Sequence, residues 1–216
     1  QLGGAFFYSK KWQLGGLSHI SIVHSNLTTS FENSTKKTSL INWDDDEIIA
    51  NLTNNTITET SLKIKHHFIA NKRHQAIAGL YFVNNSMAFY QDSTKQEIKN
   101  NSEQLNRIGW YAKDVITLHK KLSLEPGLKL VLPTSSLRLN IQPRITAKYR
   151  LSKQILLQAA YGHYTQYLTE NTVIDKFNNQ LYFWQIIDDK KTNPLQAQHY
   201  VLAVQHAYKN TSLKIE

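Results

Sequence analysis

The densest set of groups able to do chemistry lies between residues 138 and 150. There Arg138, Arg144, Lys148 and Arg150 recur at even spacing, with Asn140, Gln142 and Thr146 between them. Guanidinium and ammonium groups on one face would hold an anionic group through charge-assisted hydrogen bonds. Tyr164 and Gln166 stand two residues apart, and Trp184 follows Tyr182 and Phe183. Exposed rings of that kind stack on the flat face of a sugar or a chelate, but they serve equally well to continue a strand. A cationic face of this length also has a plain reading, in which it is a polar surface paired with carboxylates elsewhere.

Other chemistry is thinly represented. Asp44, Asp45, Asp46 and Glu47 form an acidic run, yet the spaced D-x-[DN]-x-[DN]-G order of a calcium loop is absent, so the run reads as a solvated connection. His66 and His67 are adjacent, and on a strand they would point to opposite faces, which prevents them from sharing one metal ion. The chain has no Cys, which removes thiolate metal sites, thiol catalysis and disulfides together. There is no G-x-S-x-G, no H-E-x-x-H and no Gly-rich phosphate loop. No catalytic residue, metal or cofactor is expected. The formal charge is +9, but the basic residues are spread over every turn and polar face instead of one stripe, so no nucleic-acid partner is expected.

The elements that must position these groups follow a period of two. In Leu137–Leu151, the residues Leu137, Leu139, Ile141, Pro143, Ile145, Ala147, Tyr149 and Leu151 share one face, and the cationic set shares the other. The segment before it alternates Leu122, Leu124, Pro126, Leu128, Leu130 and Leu132 with Ser123, Glu125, Gly127 and Lys129. The segment after it sets Ile155, Leu157, Ala159 and Tyr161 against Gln158, Ala160, Gly162, Tyr164 and Gln166. A further alternation around Ile108 and Trp110 is broken by Asp114, and weaker ones run through Trp12–His24, Leu62–Phe68, Gln75–Val83 and Tyr200–Tyr208. With Leu2–Tyr8 and the last residues, the pattern predicts about ten strands and no helix.

Short connections, each with a Lys, stand at Ser9–Lys11, Asn71–Arg73, His119–Lys121, Ser152–Lys153 and Lys209–Thr211. Long polar ones are expected at Leu27–Asn55, Asn84–Glu103 and Thr169–Pro194, with a short exception at Thr134–Ser136. In an up-and-down sheet such alternation places short turns at one rim and long loops at the other, as in outer-membrane β-barrels. Strands of roughly 12 to 15 residues exceed the 9–11 or so needed to cross the hydrocarbon. Trp12, Trp110, Tyr149, Tyr161, Tyr167 and Tyr208 fall near strand ends, where membrane barrels carry aromatic girdles.

Residues 122–216 resemble the barrel of TonB-dependent outer-membrane receptors, particularly of the Bacteroidetes type. The residues that carry the resemblance are Gly127, the Pro143-Arg144 strand, Tyr161, Gly162, Tyr164 and Gln166, and then Pro194, Ala197, His199, Tyr200 and Leu202. The resemblance implies an all-β, antiparallel, up-and-down transmembrane barrel of about 22 strands, of which residues 1–216 would supply about ten. It also implies nutrient import (a siderophore chelate, cobalamin or an oligosaccharide), location in the outer membrane beside lipid and lipopolysaccharide, a plug domain, and TonB acting through that plug. Neither the plug, the TonB-engaging motif nor an aromatic closing strand is visible here. The chain begins at Gln1 and stops partway along an alternating segment, so it is expected to be cut from something longer. Two other readings stay open: a small self-contained outer-membrane barrel acting as enzyme or adhesin, and a soluble β-sandwich binding module.

Overall fold

The computed structural model describes residues 2–13, 15–37, 47–69, 73–93, 96–174, 180–187, 193–209 and 211–216. Asp44, Asp45 and Asp46 of the acidic run, and Asn71, Lys72 and Asn210 of the expected turns, lie outside them. Every element among the described residues is a strand. The strands are β1 (Leu2–Lys11), β2 (Gly16–Lys37), β3 (Glu47–Ile69), β4 (His74–Ser93), β5 (Gln96–His119), β6 (Leu122–Pro133), β7 (Asn140–Arg150), β8 (Ile155–Gln166), β9 (Leu168–Ile174), β10 (Gln180–Ile186), β11 (Leu195–Tyr208) and β12 (Thr211–Ile215). Ten form one sheet in the order β1-β2-β3-β4-β5-β6-β7-β8-β11-β12, while β9 and β10 pair with each other. Sequential neighbours are antiparallel throughout, which is the up-and-down sheet the alternation predicts.

Register turns the alternation within each strand into rows across the sheet. One row runs Phe6, Ile22, Leu62, Phe82, Ile108 and Leu132; the next runs Tyr8, Ile20, Ile64, Leu80, Trp110, Leu130 and Ile141. A third joins Ile145, Tyr161 and Tyr200. These rows share one face, and its large apolar side chains stand open: Leu80 is 56% exposed, Tyr200 73% and Leu202 78%. The buried residues lie on the opposite face: Ser61, Tyr81, Val83, Asn85, Leu105, Val131 and Gln142. The sheet is thus inside-out relative to a water-soluble sandwich, whose apolar faces would pack together. Along β6 the apolar face spans Leu122 to Leu132; at a strand rise of 3.3 Å and a tilt of 45° this is about 23 Å, close to the height of a barrel's apolar band.

Above the Phe6–Leu132 row the outer face becomes polar. His24 Nδ1 lies 2.8 Å from Thr60 Oγ1, Thr28 Oγ1 lies 3.1 Å from Thr56 Oγ1, and Asn84 Nδ2 donates to Asn106 Oδ1 at 2.6 Å. These are cross-strand pairs, and the described parts of Leu27–Asn55 and Asn84–Glu103, expected as long loops, are strand. The pairing of β2 with β3 continues out to Lys37 and Glu47, and that of β4 with β5 out to Ser93 and Gln96. The four strands are 20 to 24 residues long instead of the expected dozen or so. Ladders whose outer face is polar and whose inner face mixes Thr53, Asn55 and Asn85 with Ile57, Met87 and Leu105 keep their backbone bonds but lose the apolar alternation that marks a strand in sequence.

Two boundaries also move. The first turn forms at Trp12–Gly16, where Trp12 N donates to Gly16 O at 3.0 Å, because Gly15 supplies a φ of 81°. Ser9, Lys10 and Lys11 remain paired with His19, Ser18 and Leu17. Strand β7 begins at Asn140 and not at Leu137, since Leu137 adopts φ 56° and its N–H bonds Pro133 O at 3.0 Å, closing a turn. The break in the apolar face at Asp114 is matched across the ladder, with His74 Nδ1 2.8 Å from Asp114 Oδ2.

Candidate functional site: a tyrosine-paved cationic wall

The face opposite the apolar rows is concave over β3 to β7 and lines an open hollow of about 620 Å³. Tyr81 and Tyr111 line it, and they belong to a three-residue unit, Gly-x-Tyr, that occurs at Gly79–Tyr81, Gly109–Tyr111 and, on β8, Gly162–Tyr164. Residues i and i+2 of a strand share a face, so each unit places a glycine and a ring on the inner wall. On neighbouring β4 and β5 the units are reciprocal, because register sets Tyr81 opposite Gly109 and Gly79 opposite Tyr111. Each ring lies flat over the glycine it faces. A Cβ at Gly109 would come within 2.0 Å of the Tyr81 ring, and one at Gly79 within 2.7 Å of Tyr111. The glycines make room for aromatic plates, and the plates cover the bare backbone. Gly109→Ala is expected to lift Tyr81 off the wall at a cost of about 1–2 kcal/mol, typical of overpacking. Urea midpoints for Gly109→Ala, Tyr81→Ala and the double variant, in the full-length protein, check this; the glycine substitution should cost little once the ring is gone.

Cations rest on these plates. Lys129 Nζ lies 4.8 Å from the Tyr81 ring centroid and Arg144 Cζ lies 4.5 Å from that of Tyr164. Tyr164 also packs against His199, centroid to centroid 4.9 Å. Lys63, Arg107 and Lys113 complete the cationic lining, against only Glu59 and Glu125. Both carboxylates are engaged: Lys148 Nζ lies 2.6 Å from Glu125 Oε1, and Asn85 Nδ2 donates to Glu59 Oε2 at 3.0 Å. Asn85 in turn accepts from Arg107 Nη2. The wall therefore presents a surplus of positive charge and aromatic faces, which suits an anionic or acidic partner. No group of His, Asp and Glu able to hold a metal ion occurs among the described residues.

At the outer end, the inner wall is covered. The β9–β10 hairpin folds onto it, and Tyr167, Leu168, Trp184 and Ile186 pack against Ile57, Val83, Met87 and Leu105. Asn55, 2% exposed, grips the hairpin at both backbone groups of one residue. Trp184 N donates to Asn55 Oδ1 at 2.8 Å, and Asn55 Nδ2 donates to Trp184 O at 3.4 Å.

No protein-family model matches the chain, and no curated protein does. Solved structures do match. FpvAI, in its complex with pyocin S2, superposes over 98% of this chain and 31% of its own, with TM-score 0.68 and 13% identity. The fold is that of a TonB-dependent receptor barrel. The pyoverdine outer membrane receptor FpvA from Pseudomonas aeruginosa PAO1, bound to pyoverdine, matches 97% of this chain and 34% of its own, with TM-score 0.63 and 13% identity. The RagAB peptide transporter matches 94% and 28%, with TM-score 0.58 and 9% identity. The chain spans about a third of the length of these receptor chains.

Within this sheet the six residues singled out from sequence separate. Arg144 and Tyr164 meet on the concave wall. Lys148 shares their face but is tied to Glu125. Arg138 lies before β7 at the outer rim, where its Nη1 donates to Asn193 Oδ1 at 3.3 Å. Gln166 ends β8 and donates from Nε2 to Leu168 O at 2.6 Å, at the root of the hairpin. Trp184 is in β10, half-buried against the wall. Lys63, Tyr81, Arg107, Tyr111 and Lys129 were not singled out, and the repeated Gly-x-Tyr is the signal that could have found the two tyrosines.

Proposed function

We propose that the chain forms part of the wall of an outer-membrane receptor that imports a scarce nutrient, such as a metal chelate, cobalamin or an oligosaccharide. The further strands, the plug and the TonB-engaging segment belong to the rest of the same protein, and this segment carries out no catalysis. The observation that carries the reading is the inside-out sheet, whose cross-strand apolar rows stand open on one face while Tyr81, Lys129, Arg144 and Tyr164 lie on the other. The cationic wall receives carboxylates of the plug or the negative charge of a chelated cargo. Of the residues singled out from sequence, Arg144 and Tyr164 are the contact groups, and Lys148, Arg138, Gln166 and Trp184 hold the surroundings in place.

The test uses the full-length protein. It should fractionate with outer membranes, require detergent for extraction, and support uptake of a ferric chelate only where TonB is present. A folded, monomeric protein that stays in solution without detergent would overturn the reading, as would uptake indifferent to loss of TonB. Lys129→Gln with Arg144→Gln is expected to weaken binding of an anionic ferric chelate about tenfold or more, since each removes a charge-assisted contact. Arg138→Gln, at the rim, should change it little; equilibrium titration of the purified receptor distinguishes the two.

A further inference from the structure

The rim formed by the short turns carries charge that neither the ladder nor the concave wall uses. Lys10 and Lys11 end β1, and Lys120 and Lys121 make the β5–β6 turn, all exposed. Arg150 and Lys153 flank the β7–β8 turn and Lys209 follows β11, again exposed. No Asp or Glu occurs at residues 9–16, 70–73, 119–121, 150–154 or 208–211. Toward the opposite ends of the same strands acidic residues do occur among the described residues, as at Glu47, Asp92 and Glu97. The nearest carboxylates on the neighbouring strands already have partners, Asp114 with His74 and Glu125 with Lys148.

Two of these cations rest on exposed girdle aromatics. Lys10 Nζ is 4.3 Å from the Trp12 ring centroid, and Lys209 Nζ is 5.4 Å from that of Tyr208. Rings of this kind settle at headgroup level, which places the adjoining ammonium groups at the height of lipid phosphates. We propose that this rim binds the phosphodiester groups of anionic glycerophospholipids in the leaflet on the short-turn side, the periplasmic one in an outer-membrane barrel. The inference rests on the membrane-barrel reading. It also gives a use to the basic balance of the chain, since a ring of like charges needs a matching anionic surface.

The experiment places the full-length protein in nanodiscs of phosphatidylethanolamine mixed with phosphatidylglycerol and measures the lipids retained by native mass spectrometry. The wild type should enrich phosphatidylglycerol, and the enrichment should fall as salt is raised. The combined variant Lys120→Gln, Lys121→Gln, Lys153→Gln and Lys209→Gln should lose about tenfold of it, and the same positions changed to Arg should keep it. Equal retention of the two lipids by an inserted wild-type barrel would overturn the proposal while leaving the membrane reading intact, and would assign the rim to an acidic periplasmic protein. If the Gln variant fails to insert, the salt series and the Arg variant decide. A protein that needs no bilayer at all would instead overturn the membrane reading.

Discussion

Leu80→Arg is expected to destabilise the inserted barrel by about 2–4 kcal/mol, the cost of a cation at the mid-depth of a barrel's lipid face. Leu80 sits in the middle of the row Tyr8, Ile20, Ile64, Leu80, Trp110, Leu130, Ile141, with apolar neighbours on both sides and 56% of its surface open. In a bilayer that open surface is filled by acyl chains, and a guanidinium there must snorkel or drag water inward. The same substitution on a soluble sheet would face water and cost almost nothing, so the result separates the two architectures. Ser86 supplies the internal control. It lies on the same outer face of β4, four residues beyond Phe82, where the surface has become polar. Ser86→Arg should cost no more than about 1 kcal/mol, because the penalty falls toward the interface. Urea midpoints of both variants of the full-length protein in lipid micelles read the difference; equal effects at the two positions would place the belt elsewhere.

The contrast between Leu80 and Ser86 also shows where sequence is legible in such a fold. Strands β6, β7, β8 and β11 were readable because each has one apolar and one polar face, and period-two alternation is the direct imprint of that environment. The outer halves of β2 to β5 are polar on the outer face and mix Thr53, Asn55 and Asn85 with Ile57, Met87 and Leu105 on the inner one, so no steady alternation marks them, although residues such as Thr28, Thr56, Asn84 and Asn106 are paired as regularly as the rest. The candidate site was legible by parity and not by contact. The shared face of Arg144 and Tyr164 follows from alternation once β7 and β8 are adjacent, whereas the Tyr81–Gly109 and Lys129–Tyr81 contacts depend on register between strands. Arg138 was misplaced for a local reason: the left-handed φ of Leu137 ends the strand before reaching it.

The hairpin is the feature that no local pattern announces, because its partners are more than sixty residues away in β3 to β5, and its docking is testable on its own. Leu105 is 1% exposed and lies where the inner wall meets Tyr167 and Ile186. Leu105→Ala is expected to cost about 2–5 kcal/mol, the range for emptying a filled apolar site. The loss should fall on the hairpin and not on the ladder, since β5 keeps its backbone pairing to β4 and β6 regardless of that side chain. Amide exchange in β9 and β10 of the full-length protein should therefore speed up, while exchange in the ladder between Leu80 and Trp110 stays as it was. Asn55→Ala should act in the same direction more weakly, by about 1–3 kcal/mol, because it strands the backbone groups of Trp184 without opening a cavity. If exchange accelerated equally in the hairpin and in the ladder, the hairpin would be an integral part of the wall. Acceleration confined to the hairpin would establish it as a separately docked strap across the outer mouth, narrowing the passage above the tyrosine-paved wall.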